Sequence, residues 1–159
     1  MSTIIYVTEN GYTKLQEKAK EFYAERDTIL EEMKNAMEQG GELSENSEYL
    51  VAKESLDRVE KRMQEVQIKL QNSKIIYKEN IPDDDVVRFG KTVSLRDVDT
   101  EELFEYTIVG EDESDLKINK ISHLSPIGKA LLNQKNGEYI YFETPKGDRE
   151  LEILSIKIN

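Results

Sequence analysis

The chain has 159 residues, 37% apolar and 35% charged, and a formal net charge of −11 at pH 7. These values are typical of a soluble protein with one medium domain or two small ones. The absence of cysteine excludes disulfides, thiolate zinc sites and thiol nucleophiles, and a single histidine, His123, excludes multi-histidine metal sites. No membrane span or signal-peptide pattern is present, so we expect a cytosolic protein without a membrane partner. The acidity argues against non-specific binding to duplex DNA.

The first part of the chain has the heptad spacing of a coiled coil. Apolar or long residues recur in alternating steps of three and four from Tyr12 to Ala36, and again from Tyr49 to Ser73. Arg26 is a weak position in this seam. About 28 residues in each run predict two antiparallel helices that form an arm roughly 42 Å long.

The segment between the two runs predicts a tight turn at the tip of the arm. Gly40 and Gly41 should end the first helix. Ser44 is suited to cap the second helix, with Glu45 and Glu48 in its first turn.

The composition changes after residue 78. Residues 79–85, which include a proline and three consecutive aspartates, predict a linker. We therefore predict a hairpin domain over residues 1–78, with 12 basic and 15 acidic residues, and a globular domain over residues 79–159, with 10 and 18.

The second region predicts a small antiparallel sheet with one short helix, which makes the fold class α+β. Ser125 should cap that helix, with Pro126 at its first position. In the last strand, the spacing of Leu151 and Ile153 against Ile156 and Ile158 predicts a phase slip. The predicted strands are residues 86–89, 92–95, 104–109, 139–143 and 151–158.

The main candidates for a functional site are three carboxylates at the tip of the arm, Glu42, Glu45 and Glu48. Carboxylate oxygens suit Mg²⁺, which usually takes one or two of them and retains several waters. Such a set holds the metal weakly, so another molecule would have to complete the coordination shell. The competing interpretation is that these glutamates only cap a helix and solvate a turn.

Residues 41–54, GELSENSEYLVAKE, resemble the tip signature of the Gre family of bacterial transcript cleavage factors, G-D-L-S-E-N-A-E-Y-x-A-A-K-E. The resemblance continues over residues 8–15, 89–93, 106–115 and 121–132. It covers nearly the whole chain in order, and the length and two-part layout match members of the GreA type.

The resemblance implies that the hairpin enters the secondary channel of bacterial RNA polymerase and that an FKBP-like globular domain docks at the channel rim. The tip carboxylates would help to hold a Mg²⁺ of the polymerase active site, where an activated water cleaves backtracked RNA. The protein would then be a monomeric factor and not itself an enzyme. It would have no cofactor of its own, and its partners would be the polymerase and the 3′ end of the nascent RNA.

The resemblance also assigns roles to individual residues. Glu42 and Glu45 match the metal-holding carboxylates, and Ser44 and Asn46 match positions that fix the turn. The other matched residues are Tyr49 (seam packing and a contact with the RNA end), Lys53 (RNA contact), and Ser125, Pro126 and Ile127 (polymerase docking). His123 matches no functional position, and we expect a surface or loop histidine. Residues 112–115 are expected to form a polar loop.

Two differences from the family pattern leave alternatives open. Glu42 stands where the family usually has aspartate, and residues 37–42, MEQGGE, lack the arginine that usually precedes the tip. A second hypothesis is therefore a Gre-like factor that occupies the channel and inhibits transcription without cleavage. A peptidyl-prolyl isomerase or chaperone is a remote third, since the chain lacks the tryptophan often found in such active sites.

Overall fold

The computed structural model describes residues 3–159 and contains two long helices followed by a small sheet. Contacts divide it into two units, one formed by Tyr12–Ser73 and the other by Ile4–Gly11 together with Lys74–Asn159. The predicted α+β class is confirmed. No helix among the described residues is long and apolar enough to cross a membrane.

The first unit is a helical hairpin. Helix α1 covers Glu9–Glu38 and helix α2 covers Ser47–Asn72. Every predicted seam position is buried or half-buried, which confirms the heptad assignment. The residues that form the centre of the hairpin are Ile29, Ala52 and Val59, with Phe22, Met33 and Leu56 packed against them.

Arg26 is the exception within this apolar seam. Its Nε atom is buried and has no hydrogen-bond partner. The guanidinium carbon lies 5.4 Å from the centre of the Tyr23 ring, and the closest carboxylate contact, to Asp27, is 3.9 Å long. The seam therefore contains a charged side chain whose polar atoms are only partly satisfied.

The second unit contains a two-stranded and a five-stranded sheet. Strand β1 (Ile5–Thr8) pairs with β2 (Ser73–Ile76). The strands of the larger sheet are β3 (Lys91–Asp97), β4 (Leu103–Val109), β5 (Lys120–Ser122), β6 (Tyr139–Thr144) and β7 (Gly147–Ile158), in the spatial order β5-β4-β3-β7-β6. Within the larger sheet the pairings are antiparallel, as predicted, except that of β5, a strand that was not predicted and that runs parallel to β4.

The predicted phase slip in the last strand is a bulge. Along the β3–β7 pair, Ser94 faces Ser155 but Leu95 faces Ile153, so Leu154 has no partner. Leu154 is correspondingly exposed, whereas Ile153 is fully buried. One extra residue thus moves the apolar side chains of β7 back onto the core face.

The core of the second unit lies between the sheet and helix α3, which covers Pro126–Leu131. Leu131 anchors the helix in this core and is completely buried. The other buried members come from the strands and their flanks: Val87, Val93, Leu95, Ile108, Ile121, Ile140, Leu151 and Ile153.

The prediction of a strand over residues 86–89 was wrong. Val86 forms a single bridge with Lys135. The backbone of Val87 bonds to Gln134 and Asn133, in the loop that follows α3, with N···O distances of 2.8 and 3.0 Å. The backbone of this segment is therefore bonded to a loop rather than to a sheet strand, while the Val87 side chain lies in the core.

Part of the segment predicted as a linker is held by buried Lys91, whose side chain is 1% exposed. Its Nζ donates to the Asp84 carbonyl at 2.7 Å, to Asp84 Oδ1 at 2.8 Å and to the Val86 carbonyl at 3.0 Å. Arg88 also donates to the Asp84 carboxylate. These bonds, from Arg88 and then from Lys91, hold the pKa of Asp84 well below its ordinary value.

Candidate functional site

The tip of the hairpin is a loop of eight residues between the two long helices. Gly40 and Gly41 follow the end of α1 and adopt φ values of 76° and 85°, a left-handed conformation that favours glycine. Residues Leu43–Glu45 then form one turn of 3₁₀-helix. Its bonds are from Glu45 N to the Glu42 carbonyl, at 3.1 Å, and from Asn46 N to the Leu43 carbonyl, at 3.2 Å. The two glycines end the first helix as predicted.

Asn46, and not Ser44, caps the second helix. Its Oδ1 accepts from Tyr49 N at 3.1 Å, while its Nδ2 donates to the Ala36 carbonyl of α1 at 2.8 Å. The 3₁₀ turn delays the start of α2, so Ser44 and Glu45 lie before that helix and only Glu48 lies in its first turn. One side chain therefore caps α2 and ties it to the end of α1.

The structure places the three tip glutamates around one shallow concavity of about 350 Å³. Glu42 and Glu45 are exposed, and neither carboxylate makes a hydrogen bond or ion pair with the described residues. Glu48 differs, because its Oε2 accepts from Gln39 Nε2 at 2.8 Å. Two unengaged carboxylates are thus presented together, next to a third that is already bonded.

This arrangement limits what the tip can bind by itself. Among residues 3–159, no group of three or more histidine, aspartate or glutamate side chains is placed to hold a metal ion. Two monodentate carboxylates fill at most two of the six positions that Mg²⁺ requires. The tip donors suit an ion whose remaining ligands come from another molecule or from water.

Tyr49 and Lys53 lie on α2, one turn apart. Tyr49 is half-buried at a seam position, and Lys53 is exposed. Their spacing of four places them on neighbouring turns of one helix face. The structure therefore presents a cation close to the tip in sequence and on the same helix that Asn46 caps.

The other candidate residues form the start of α3. Ser125 caps this helix as predicted, since its Oγ accepts from Gly128 N at 3.1 Å and donates to the Ser122 carbonyl at 2.6 Å. Pro126 is exposed at the first helical position, whereas Ile127 is half-buried against the core. A Cβ on Gly128 would lie 2.1 Å from the Ser122 carbonyl oxygen. The loop is therefore fixed by close backbone packing.

His123 belongs to an aromatic cluster that the sequence did not indicate. Its ring lies edge-on to Tyr6 and to Phe89, with centroid distances of 5.9 and 5.4 Å. Burial lowers the pKa of His123, so the neutral form is favoured. The expectation of a surface or loop histidine is met by a position in the turn between β5 and α3, where the ring is half-buried beside its aromatic neighbours.

Glu113 also has a structural role that composition alone did not reveal. Its carboxylate accepts from Thr8 N at 3.0 Å, from Gly110 N at 3.2 Å, and from the Thr8 hydroxyl. A Cβ on Gly11 would lie 2.2 Å from Glu113 Cδ, so this carboxylate occupies the space above the glycine. The segment predicted as a polar loop therefore fixes the start of α1 through Glu113.

Comparison with known proteins gives matches over nearly the whole chain. The family model "Transcription elongation factor, N-terminal" matches residues 5–75, and "Transcription elongation factor, GreA/GreB, C-term" matches residues 82–158. The chain is 41% identical to transcription elongation factor GreA of Pelobacter propionicus and to that of Trichlorobacter lovleyi, over 99% of each chain.

Among solved structures, the chain is similar to GreA factor homolog 1 (Gfh1) of Thermus thermophilus. The two sequences are 25% identical, with 97% of this chain and 99% of that chain covered and a TM-score of 0.43. The family assignment depends instead on the two family models and on the full-length relatives. On these matches, the chain belongs to the GreA/GreB family of transcription elongation factors.

Proposed function

We propose that the protein is a transcription elongation factor that inserts its helical hairpin into the secondary channel of bacterial RNA polymerase and stimulates the polymerase's own cleavage of backtracked RNA. The observation that carries this proposal is the pair of exposed, unengaged carboxylates, Glu42 and Glu45, on the loop at the hairpin tip. Membership of the GreA/GreB family supports bacterial RNA polymerase as the partner. The factor acts in the cytoplasm and forms no active site of its own.

In this proposal Glu42 and Glu45 offer oxygen ligands to a Mg²⁺ that the polymerase also holds. The chemistry that this ion supplies when bound is a lowered pKa for a coordinated water, which makes it a nucleophile at neutral pH. Asn46 keeps the loop in place by joining the Ala36 carbonyl to the start of α2. Lys53 provides a positive charge for an RNA phosphate, and Tyr49 packs in the seam beside the RNA end.

Docking of the globular unit is assigned to Ser125, Pro126 and Ile127. The short loop that carries them is rigid, because Ser125 caps the helix and Gly128 packs against the Ser122 carbonyl. A rigid loop loses little conformational entropy when it binds. Pro126 offers an exposed apolar surface at the head of this loop.

The test is RNA cleavage in a stalled, backtracked elongation complex at fixed Mg²⁺ concentration. The double variant Glu42→Ala/Glu45→Ala should bind the polymerase with normal affinity but lose at least about tenfold in cleavage, because its ligands to the shared ion are gone. The matched control is Glu21→Ala/Glu60→Ala, which removes two exposed hairpin carboxylates away from the tip. This control should cleave like the unmodified protein.

A second candidate function is occupation of the channel without cleavage. The feature that favours it is the looseness of the tip, since Gly40 and Gly41 have no atoms within 4 Å of an added Cβ. An unmodified protein that binds the polymerase, slows nucleotide addition and leaves backtracked RNA intact would support this alternative and reject the first.

A further inference from the structure

The loop that carries Glu42 and Glu45 is not held in place by packing. The 3₁₀ turn Leu43–Glu45 contains no buried residue, and Leu43 is 39% exposed. The two preceding glycines lie in open space. Since no core contact fixes this loop, its position must be determined by the groups that join its two ends.

Two side-chain hydrogen bonds join the end of α1 to the start of α2, at the two ends of the tip loop. One is the half-buried bond from Asn46 Nδ2 to the Ala36 carbonyl, at 2.8 Å. The other runs from Gln39 Nε2, just after α1, to Glu48 Oε2, in the first turn of α2, also at 2.8 Å. The second bond is exposed to solvent, and it is charge-assisted because an amide donates to a carboxylate.

We propose that Gln39 and Glu48 form a positioning pair that fixes the two tip glutamates for their role at the shared metal ion. The pair joins residue 39 at one end of the loop to residue 48 at the other, and it restricts the freedom of the two intervening glycines. It also engages Glu48, so that two of the three tip carboxylates remain available as ligands. This inference depends on the proposed function for its effect on cleavage, but the ordering of the loop is independent of that function.

The loop-ordering part is tested on the full-length protein by amide hydrogen exchange. In Gln39→Ala and Glu48→Ala, amides in residues 40–45 should exchange at least about threefold faster, while the exchange of α2 around Val59 and the melting temperature stay unchanged. The control is Gln64→Ala, which alters an exposed α2 glutamine away from the tip. If Gln39→Ala leaves the exchange of residues 40–45 unchanged, the positioning pair does not exist, whatever the cleavage assay shows.

The effect on cleavage is tested with a double-mutant cycle. Each single variant should lower the maximal cleavage rate about two- to fivefold at saturating factor, with little change in the concentration needed for half-maximal effect. The double variant Gln39→Ala/Glu48→Ala should be no worse than either single variant, because both remove the same bond. Independent, multiplying losses would overturn the proposal.

The variant Glu48→Gln separates positioning from direct metal binding. Its amide oxygen can still accept from Gln39, so the positioning pair predicts near-normal loop exchange and cleavage. If Glu48 were itself a metal ligand, Glu48→Gln would cleave as poorly as Glu48→Ala, and the proposed role would be rejected. Should the unmodified protein not stimulate cleavage at all, the proposed function fails, whereas the exchange experiment still decides the positioning pair.

Discussion

Lys91 is the residue whose replacement tests most directly what holds the globular unit together. The substitution Lys91→Met keeps most of the side-chain volume but removes the ammonium group. That group donates three hydrogen bonds, to the Asp84 carbonyl, to the Asp84 carboxylate and to the Val86 carbonyl. The side chain is 1% exposed, so water cannot take over these contacts without a rearrangement of the segment over residues 84–86.

The expected cost follows from the acceptors that are left behind. A buried acceptor that loses its donor costs about 1–3 kcal/mol, and the two part-buried carbonyls that Lys91→Met leaves without this donor should each lie near the lower end of that range. Removal of the ammonium also relieves its own desolvation, which offsets part of the loss. The net destabilisation should be about 1–3 kcal/mol, which for a unit of this size lowers the melting temperature by at least about 4 °C.

The assay is thermal and urea unfolding, followed by far-UV circular dichroism and by tyrosine fluorescence, since the chain has eight tyrosines and no tryptophan. Arg88→Leu is the matched control, because Arg88 binds the same Asp84 carboxylate from a side chain that is 39% exposed. Solvent screens such a pair, so the control should change the melting temperature much less. Equal effects of the two substitutions would refute the argument that burial of Lys91 makes the difference.

Three further predictions concern stability. Because the pKa of Asp84 is depressed in the folded protein, its contribution to the free energy of unfolding is complete above about pH 4 and is lost as the pH falls further. The difference in unfolding free energy between the unmodified protein and Asp84→Asn should therefore shrink between pH 6 and pH 2.5. A constant difference would contradict this. Gly11→Ala should displace the Glu113 carboxylate and cost about 1–2 kcal/mol, but it should add little in a Glu113→Ala background; additive losses in urea unfolding would show that the two residues are independent. Arg26→Met should raise the melting temperature of the hairpin because it replaces an unsatisfied buried donor by an apolar side chain, whereas the exposed control Arg62→Met should leave it unchanged.

Regular periodicity and local capping could be predicted from the sequence because they depend on neighbours along the chain. The heptad spacing predicted the helical hairpin, and a serine followed by a proline predicted that α3 begins after Ser125. The slip in β7 was visible because a bulge shifts the apolar alternation at Leu154. In each of these cases, the physical cause is contained within a few consecutive residues.

Features that depend on distant partners could not be predicted in the same way. Val87 looked like a strand residue, but its backbone partners come from the loop after α3. The aspartates of the predicted linker looked solvated, although Asp84 binds buried Lys91. His123 lacked any neighbour in sequence that would indicate its contacts with Tyr6 and Phe89. In all three cases the decisive partner lies outside the immediate neighbours in sequence. The separation along the chain ranges from 7 residues for Asp84 and Lys91 to more than a hundred for His123 and Tyr6.

The error in the tip concerns the helix cap, and it bears on function. Ser44 and Asn46 are both good capping residues, and the sequence favoured Ser44 because a glutamate follows it. The structure uses Asn46, whose amide accepts from Tyr49 N and donates to the Ala36 carbonyl at the same time, whereas Ser44 lies inside the 3₁₀ turn that precedes α2. As a result Glu45 lies outside the first turn of α2. Within that turn its carboxylate would have interacted favourably with the helix dipole. Glu45 is instead left unengaged beside Glu42, which is the state that its proposed role as a ligand to a metal ion of the polymerase requires.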